Sequence, residues 1–244
     1  MVPRRAAAGD GTAVVRRPGV PTCVPAPPRR EWPGVTPLET SLALIPAGYL
    51  IGTFPSATLV ARLKGTDITR TGSGNPGASN AMRVLGWKLG LLVLAGDIGK
   101  GSVAAGIGSA VDGHRGAYIL GLGAVLGHVF PVFRRFKGGR GVATTGGVLL
   151  VVFPVLGASL AATWFAFARL THKASLASLV VAVAFPICVA IAHPHRPGDI
   201  VIAISLGALV IARHFANVRR LIRGEEHDLR GDTPAADGDS VPSA

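Results

Sequence analysis

The stretch Val142-Ala-Thr-Thr-Gly-Gly-Val-Leu-Leu-Val-Val-Phe-Pro154-Val-Leu-Gly157-Ala-Ser-Leu-Ala-Ala-Thr-Trp-Phe-Ala-Phe-Ala-Arg169-Leu170 decides the architecture. Its 29 residues carry no ionisable side chain before Arg169. As one α-helix it would run about 43 Å, well beyond the ~30 Å hydrocarbon core of a bilayer. Pro154 and Gly157 sit at its middle, where a turn between two shorter helices would go.

Other long apolar segments flank it, near Leu38–Leu63, Gly90–Val111, Gly116–Phe133, Ala174–His193 and Asp199–Arg213. Their length and lack of strand alternation predict membrane helices. Composition agrees: of 244 residues only 16% are charged, against ~25% in soluble domains, and mean hydropathy is +0.46. The net charge of +12 and the long apolar runs fit neither a disordered chain nor an all-polar nucleic-acid binder, and two cysteines make no disulfide scaffold. Cys188 falls within an apolar segment and Cys23 within the extension, so no disulfide between them is expected.

Charge decides between one helix and two. With a break at Pro154 there are seven crossings, and fifteen loop cations, from Lys64 to Arg230, share one side against Arg115 and Arg196 on the other. Without it the last two groups change sides and the asymmetry nearly vanishes. Because basic loops stay cytoplasmic, the sequence predicts an all-α integral membrane fold of seven transmembrane helices, two of them short, with the basic loops cytoplasmic and the N-terminus outside. Residues 1–37, with eight prolines and three Arg pairs, read as a disordered Pro/Arg-rich extension. Residues 38–226 form the membrane domain and 227–244 a disordered tail.

Three loops on the basic side carry the unusual chemistry. The first is Arg70-Thr-Gly-Ser-Gly-Asn-Pro-Gly-Ala-Ser-Asn80, then Arg83. Gly72, Gly74 and Gly77 let backbone approach a ligand, while Ser73, Asn75, Ser79 and Asn80 offer neutral donors. Consecutive amides there can form an anion nest, especially where a helix begins, and Arg83 can grip a phosphate with two bonds. A plain glycine-rich turn is the bland alternative. The glycines also match G-x-G-x-x-G, but no βαβ unit surrounds them, so a dinucleotide site is rejected.

The second loop, Arg134-Arg-Phe-Lys137-Gly138-Gly139-Arg140-Gly, packs four cations among three glycines. Lys137 and Arg140, set among the glycines, point to function; Arg134 and Arg135 read as membrane anchors. His128, on the apolar side of this loop, either serves the site or donates to a backbone carbonyl. In the third, Arg213-His214-Phe-Ala-Asn217, His214 and Asn217 share a helix face. Ser175 and Ser178 make another one-turn pair near Lys173. Asp97 and Lys100, at i and i+3 inside an apolar helix, are expected to pair with each other.

Together these motifs resemble the PlsY family of bacterial membrane acyltransferases. Gly72-Ser-Gly-Asn-Pro-Gly-Ala-Ser-Asn80 with Arg83 matches first. Gly127-His-Val-Phe-Pro-Val-Phe with Phe136-Lys-Gly-Gly-Arg-Gly-Val-Ala-Thr144 follows, then Arg213-His-Phe-Ala-Asn217 with Gly224-Glu-Glu226. The resemblance implies transfer of a fatty acyl group from acyl phosphate to the sn-1 hydroxyl of glycerol 3-phosphate, at the inner membrane of a bacterium, releasing lysophosphatidic acid and phosphate. It implies that Ser73, Arg83, Arg140, a serine of the 175/178 pair (Ser178 preferred), His214 and Asn217 line the phosphate sites, with Glu226 as support. Arg140 departs from the Lys common in the family, exchanging a point charge for a planar fork. The proton acceptor is either His214 or a substrate phosphate oxygen, and Ser73 fits phosphate binding better than nucleophilic attack. No metal, cofactor or nucleic acid is expected, and the chain is expected to act as a monomer in the bilayer. The rival class is an anion transporter, disfavoured because the cations gather on one face rather than at mid-membrane.

Overall fold

The computed structural model describes residues 35–229, which are helix and loop with no strand. Helix α1 (Pro37–Ala43) opens on a reciprocal cap: Glu39 N–H donates to Thr36 Oγ1 at 3.2 Å and Thr36 N–H to the Glu39 carboxylate at 2.8 Å. Thr36 and Pro37 thus belong to the first helix rather than to the extension expected over 1–37. Residues 1–34, Cys23 among them, lie outside the described residues.

The expected single helix over Leu38–Leu63 is three: α1, α2 (Ile45–Gly52) and α3 (Ser56–Arg62). Pro46 and Pro55 each remove an amide that a continuous helix would need. After the short helix α4 (Ala78–Leu85) comes α5 (Trp87–Val129), which folds back on itself at Asp112 and Gly113. Gly113, at φ 58 and ψ −138, adopts a backbone that side chains disfavour. The two limbs touch backbone to backbone, since a Cβ on Gly108 would sit 2.0 Å from the Gly116 carbonyl oxygen.

The same device joins the remaining helices. Gly48 and Gly52 of α2 lie on Leu120 and Ala124 of the second limb, and Gly101 of the first limb lies on Thr144 of α6 (Val142–Val152). Small residues matter here because lipid tails are as apolar as Leu, which leaves close packing as the main attraction between helices.

The decisive stretch does break. Helix α6 stops at Val152, Phe153 leaves helical geometry (φ −138, ψ 76), and Pro154 opens α7 (Pro154–Thr171). The chain reverses there: a Cβ on Gly157 would lie 2.8 Å from the Leu149 carbonyl carbon. The halves are unequal, 11 and 18 residues, or about 16 and 27 Å. Then follow α8 (Ala174–Ala192), α9 (Pro197–Arg213) and α10 (Phe215–Ile222).

By length and composition two helices can cross a membrane, Trp87–Arg134 and Ala174–Ala192. Two bent pairs, Pro37–Ala43 with Ile45–Arg62 and Pro197–Arg213 with Phe215–Ile222, raise this to four. Length and composition thus support two to four of the seven crossings expected from the sequence. Residues 228 and 229, expected within the tail, make contacts with the rest of the fold. Leu229 N–H donates to the His172 carbonyl at 2.9 Å and Arg83 Nε to the Asp228 carbonyl at 2.9 Å, while residues 230–244 lie outside the described ones.

Candidate active site

A cavity opens where three helices begin. Gly77, Ala78 and Ser79 line it from α4, Gly141, Val142 and Ala143 from α6, and Ala174 and Ser175 from α8. None of the three has a side-chain cap: Gly77, Gly141 and Lys173 occupy the N-cap positions. An uncapped helix start presents unsatisfied N–H groups and the positive end of the helix dipole. Three such starts around one cavity, joined by Arg140 and His214 on its wall, make a site for negative charge. Deeper in, the wall turns apolar, with Leu149, Leu160, Trp164, Val181, Phe185 and Leu206. One end suits an anion and the other a hydrocarbon chain.

The first loop reaches this site through its end, Gly77 included, rather than through Gly72 and Gly74. Gly72 (φ 59) and Gly74 (φ 69) take the left-handed turn that closes the loop. Asn80, 1% exposed, staples it: its Oδ1 accepts from Ser73 N–H at 2.9 Å, and its Nδ2 donates to the Ile68 and Thr71 carbonyls at 3.2 and 3.0 Å. Of the residues singled out here, Asn75 and Gly77 line the cavity. Gly72, Ser73, Gly74 and Asn80 stand behind it. Arg83 donates to Asn80 Oδ1 at 3.3 Å in addition to the Asp228 carbonyl.

In the second loop the glycines press on protein. Gly138 N–H donates to the Val129 carbonyl at 3.2 Å and Gly139 N–H to the His128 carbonyl at 3.1 Å, capping the end of α5. Arg140 lines the cavity, whereas Lys137 is exposed. Burial pulls the Arg140 guanidinium down to about 10, partly countered by Glu226, so it stays charged at neutral pH.

Asp97 and Lys100 pair as expected, at 2.8 Å with both side chains buried, and Lys100 Nζ also donates to the Phe54 carbonyl at 3.1 Å. A backbone carbonyl is one of the two roles expected for His128, and the ring faces a carboxylate instead. Its Nδ1 faces Asp97 Oδ1 at 3.6 Å, because α5 doubles back and brings residues 31 positions apart side by side.

His214, 2% exposed, sits at the junction of α9 and α10. Its Nδ1 lies 2.8 Å from the Val210 carbonyl. A carbonyl can only accept, so Nδ1 carries hydrogen and the neutral ring leaves Nε2 as an acceptor. Asn217 Nδ2 donates to Glu226 Oε1 at 2.6 Å, and Arg220 Nε to Glu226 Oε2 at 3.0 Å. Lys173 reaches the Glu226 carbonyl. Glu226 thereby ties α10 to the start of α8, and neither it nor Asn217 lines the cavity.

The serine pair separates. Ser178 Oγ donates to the Ala174 carbonyl at 2.8 Å and accepts from Trp164 Nε1 at 3.0 Å. Ser175 Oγ, buried on the cavity wall, has no partner among the described residues. Both serines line the cavity, Ser175 with that unpartnered hydroxyl and Ser178, which the resemblance favoured, with one engaged by Ala174 and Trp164. Sequence reasoning overlooked Trp164 and the starts of α6 and α8. Their signal was available in the absence of Ser, Thr, Asp or Asn at Gly141 and Lys173.

A family model described as glycerol-3-phosphate acyltransferase matches residues 42–224. The chain belongs to that family. It is 43% identical over 189 residues to a glycerol-3-phosphate acyltransferase of Bacillus velezensis, covering 77% of this chain and 96% of the relative. A Bacillus subtilis relative of the same name is 43% identical over 188 residues, covering 77% and 96%. The crystal structure of PlsY, an integral membrane glycerol 3-phosphate acyltransferase in its glycerol 3-phosphate form, superposes with a TM-score of 0.73 at 38% identity, covering 78% of this chain and 95% of that one. Its lysophosphatidic acid form gives 0.71. The family match takes in all three loops and the three helix starts.

Proposed function

We propose that the protein transfers a fatty acyl group from acyl phosphate to the sn-1 hydroxyl of glycerol 3-phosphate, yielding lysophosphatidic acid and inorganic phosphate. The observation that carries this reading is the cavity itself, with three uncapped helix starts and Arg140 at one end and an apolar wall at the other. Both substrates bear phosphate and one bears a long chain. An acyl phosphate already has a good leaving group, so the protein needs chiefly to position, neutralise charge and exclude water.

In this mechanism the glycerol hydroxyl attacks the acyl carbonyl directly. The new ester C–O bond forms, the bond from the acyl carbon to the phosphate oxygen breaks, and phosphate leaves with the electron pair. The hydroxyl proton passes to His214 Nε2 or to a substrate phosphate oxygen. Arg140, Ser175 and the helix starts hold phosphate; Asn75 completes the mouth; Ser73, Arg83, Asn80, Asn217 and Glu226 keep it in shape. The chain acts as a monomer with seven crossings, its basic loops cytoplasmic and its N-terminus outside.

The test is purified protein in detergent with palmitoyl phosphate and glycerol 3-phosphate. Phosphate release that requires both supports the reading. Equal turnover with palmitoyl-CoA as donor would refute the acyl phosphate assignment. Isolation of an acylated Ser73 during turnover would refute direct transfer.

A further inference from the structure

Asp97, Lys100 and His128 form a buried group that the transfer mechanism leaves without a task. All three side chains are nearly inaccessible, and Asp97 Oδ1 stands between Lys100 Nζ at 2.8 Å and His128 Nδ1 at 3.6 Å. Asp97 and His128 line both the main cavity and a small polar one beside it. Lys100 neutralises the carboxylate and anchors it to the Phe54 carbonyl, which holds Asp97 at one place on α5.

The other face of the His128 ring meets the second glycine loop. A Cβ on Gly139 would fall 2.1 Å from His128 Nε2, and one on Gly138 would fall 2.1 Å from the His128 carbonyl oxygen. The loop is gripped from its far side as well, where Arg213 Nη2 donates to the Gly138 carbonyl at 3.3 Å. The next residue is Arg140, the cation on the cavity wall. A ring that faces a carboxylate at 3.6 Å on one side and packs against the loop on the other sets the height of that loop, and so the reach of the guanidinium.

We propose that Asp97 and His128 are a positioning pair that fixes the Gly138–Gly139 turn and thereby places Arg140 for substrate phosphate. The pair acts through Arg140 and needs no contact with the reacting atoms. The proposal rests on the reading of the cavity as a phosphate site. Misplacing a binding group by about 1 Å can cost on the order of 100-fold, so a modest shift of the loop suffices to show.

The experiment is a double-mutant cycle on the full chain, with KM and kcat measured for both substrates by phosphate release. His128→Ala in the wild-type background is expected to raise KM for at least one phosphate substrate about ten-fold or more, with a smaller fall in kcat. In the Arg140→Ala background the same substitution is expected to add less than about two-fold, because groups acting through one another are not additive. His128→Asn, which keeps a donor toward Asp97, is expected to fall between wild type and His128→Ala, and it replaces His128→Ala in the cycle if that variant does not elute as a single species. Equal fold losses in both backgrounds would overturn the positioning pair while leaving the phosphate site standing. Wild-type KM values in Arg140→Ala itself would overturn the phosphate site, and the pair with it.

Discussion

Two loops with three glycines each are put to different uses. In the Thr71–Gly77 loop the glycines turn the chain tightly enough for one side chain, Asn80, to collect two of its backbone groups and the Ile68 carbonyl just before it. In the Lys137–Gly141 loop they remove side chains, so that backbone can lie on the end of α5 and the ring of His128. Only the last glycine of each loop, Gly77 or Gly141, lines the cavity; Gly72, Gly74, Gly138 and Gly139 do not. What each delivers is the start of the helix that follows, α4 or α6, and in the second case Arg140 as well. Glycine next to a cation is thus a sign of close approach, and the partner approached can be the protein itself.

That contrast can be broken in several places. Arg140→Ala, which removes the cation on the cavity wall, is expected to lower kcat/KM by about 100- to 1,000-fold, the range for losing one preorganised charge donor; steady-state phosphate release measures it. Gly139→Ala forces a Cβ into His128 and is expected to cost about 100-fold through displacement of the loop, with far less loss for the substitution at Gly106, a helical position where a Cβ meets nothing within 4 Å. Asn80→Ala leaves Ser73 N–H and two carbonyls without their partner. It is expected to cost about 1–3 kcal/mol of stability, read as a lower midpoint of thermal unfolding in detergent. Lys137→Ala, two residues from Gly139 and exposed, is expected to stay within about two-fold of wild type, since exposed charges contribute little. A Lys137→Ala loss as large as that of Arg140→Ala would erase the distinction between the two cations.

Much of this architecture was legible in the sequence because it depends on local rules. Pro154 could not continue α6, and the break falls at Phe153, one residue before it. Asp97 and Lys100 are one turn apart on a buried helix, so their pairing followed from spacing alone. The rest needed tertiary contacts. His128 finds Asp97 only because α5 reverses at Gly113. Ser178 is engaged by an indole from the preceding helix, which leaves Ser175 free. The three short helices over residues 37–62 replaced one expected span because two prolines outweigh a continuous apolar run. Asp228 and Leu229, expected within the tail, bond instead to Arg83 and His172, residues far away in the chain.

The central claim is that phosphate sits at the helix starts rather than among the glycines of the first loop. A crystal structure of this protein with glycerol 3-phosphate tests it most directly. The account predicts phosphate oxygens within hydrogen-bond distance of Arg140 and Ser175 Oγ, facing the first amides of α6 and α8. A phosphate seated on the amides of Gly72–Gly74, with Arg140 and Ser175 untouched, would contradict it.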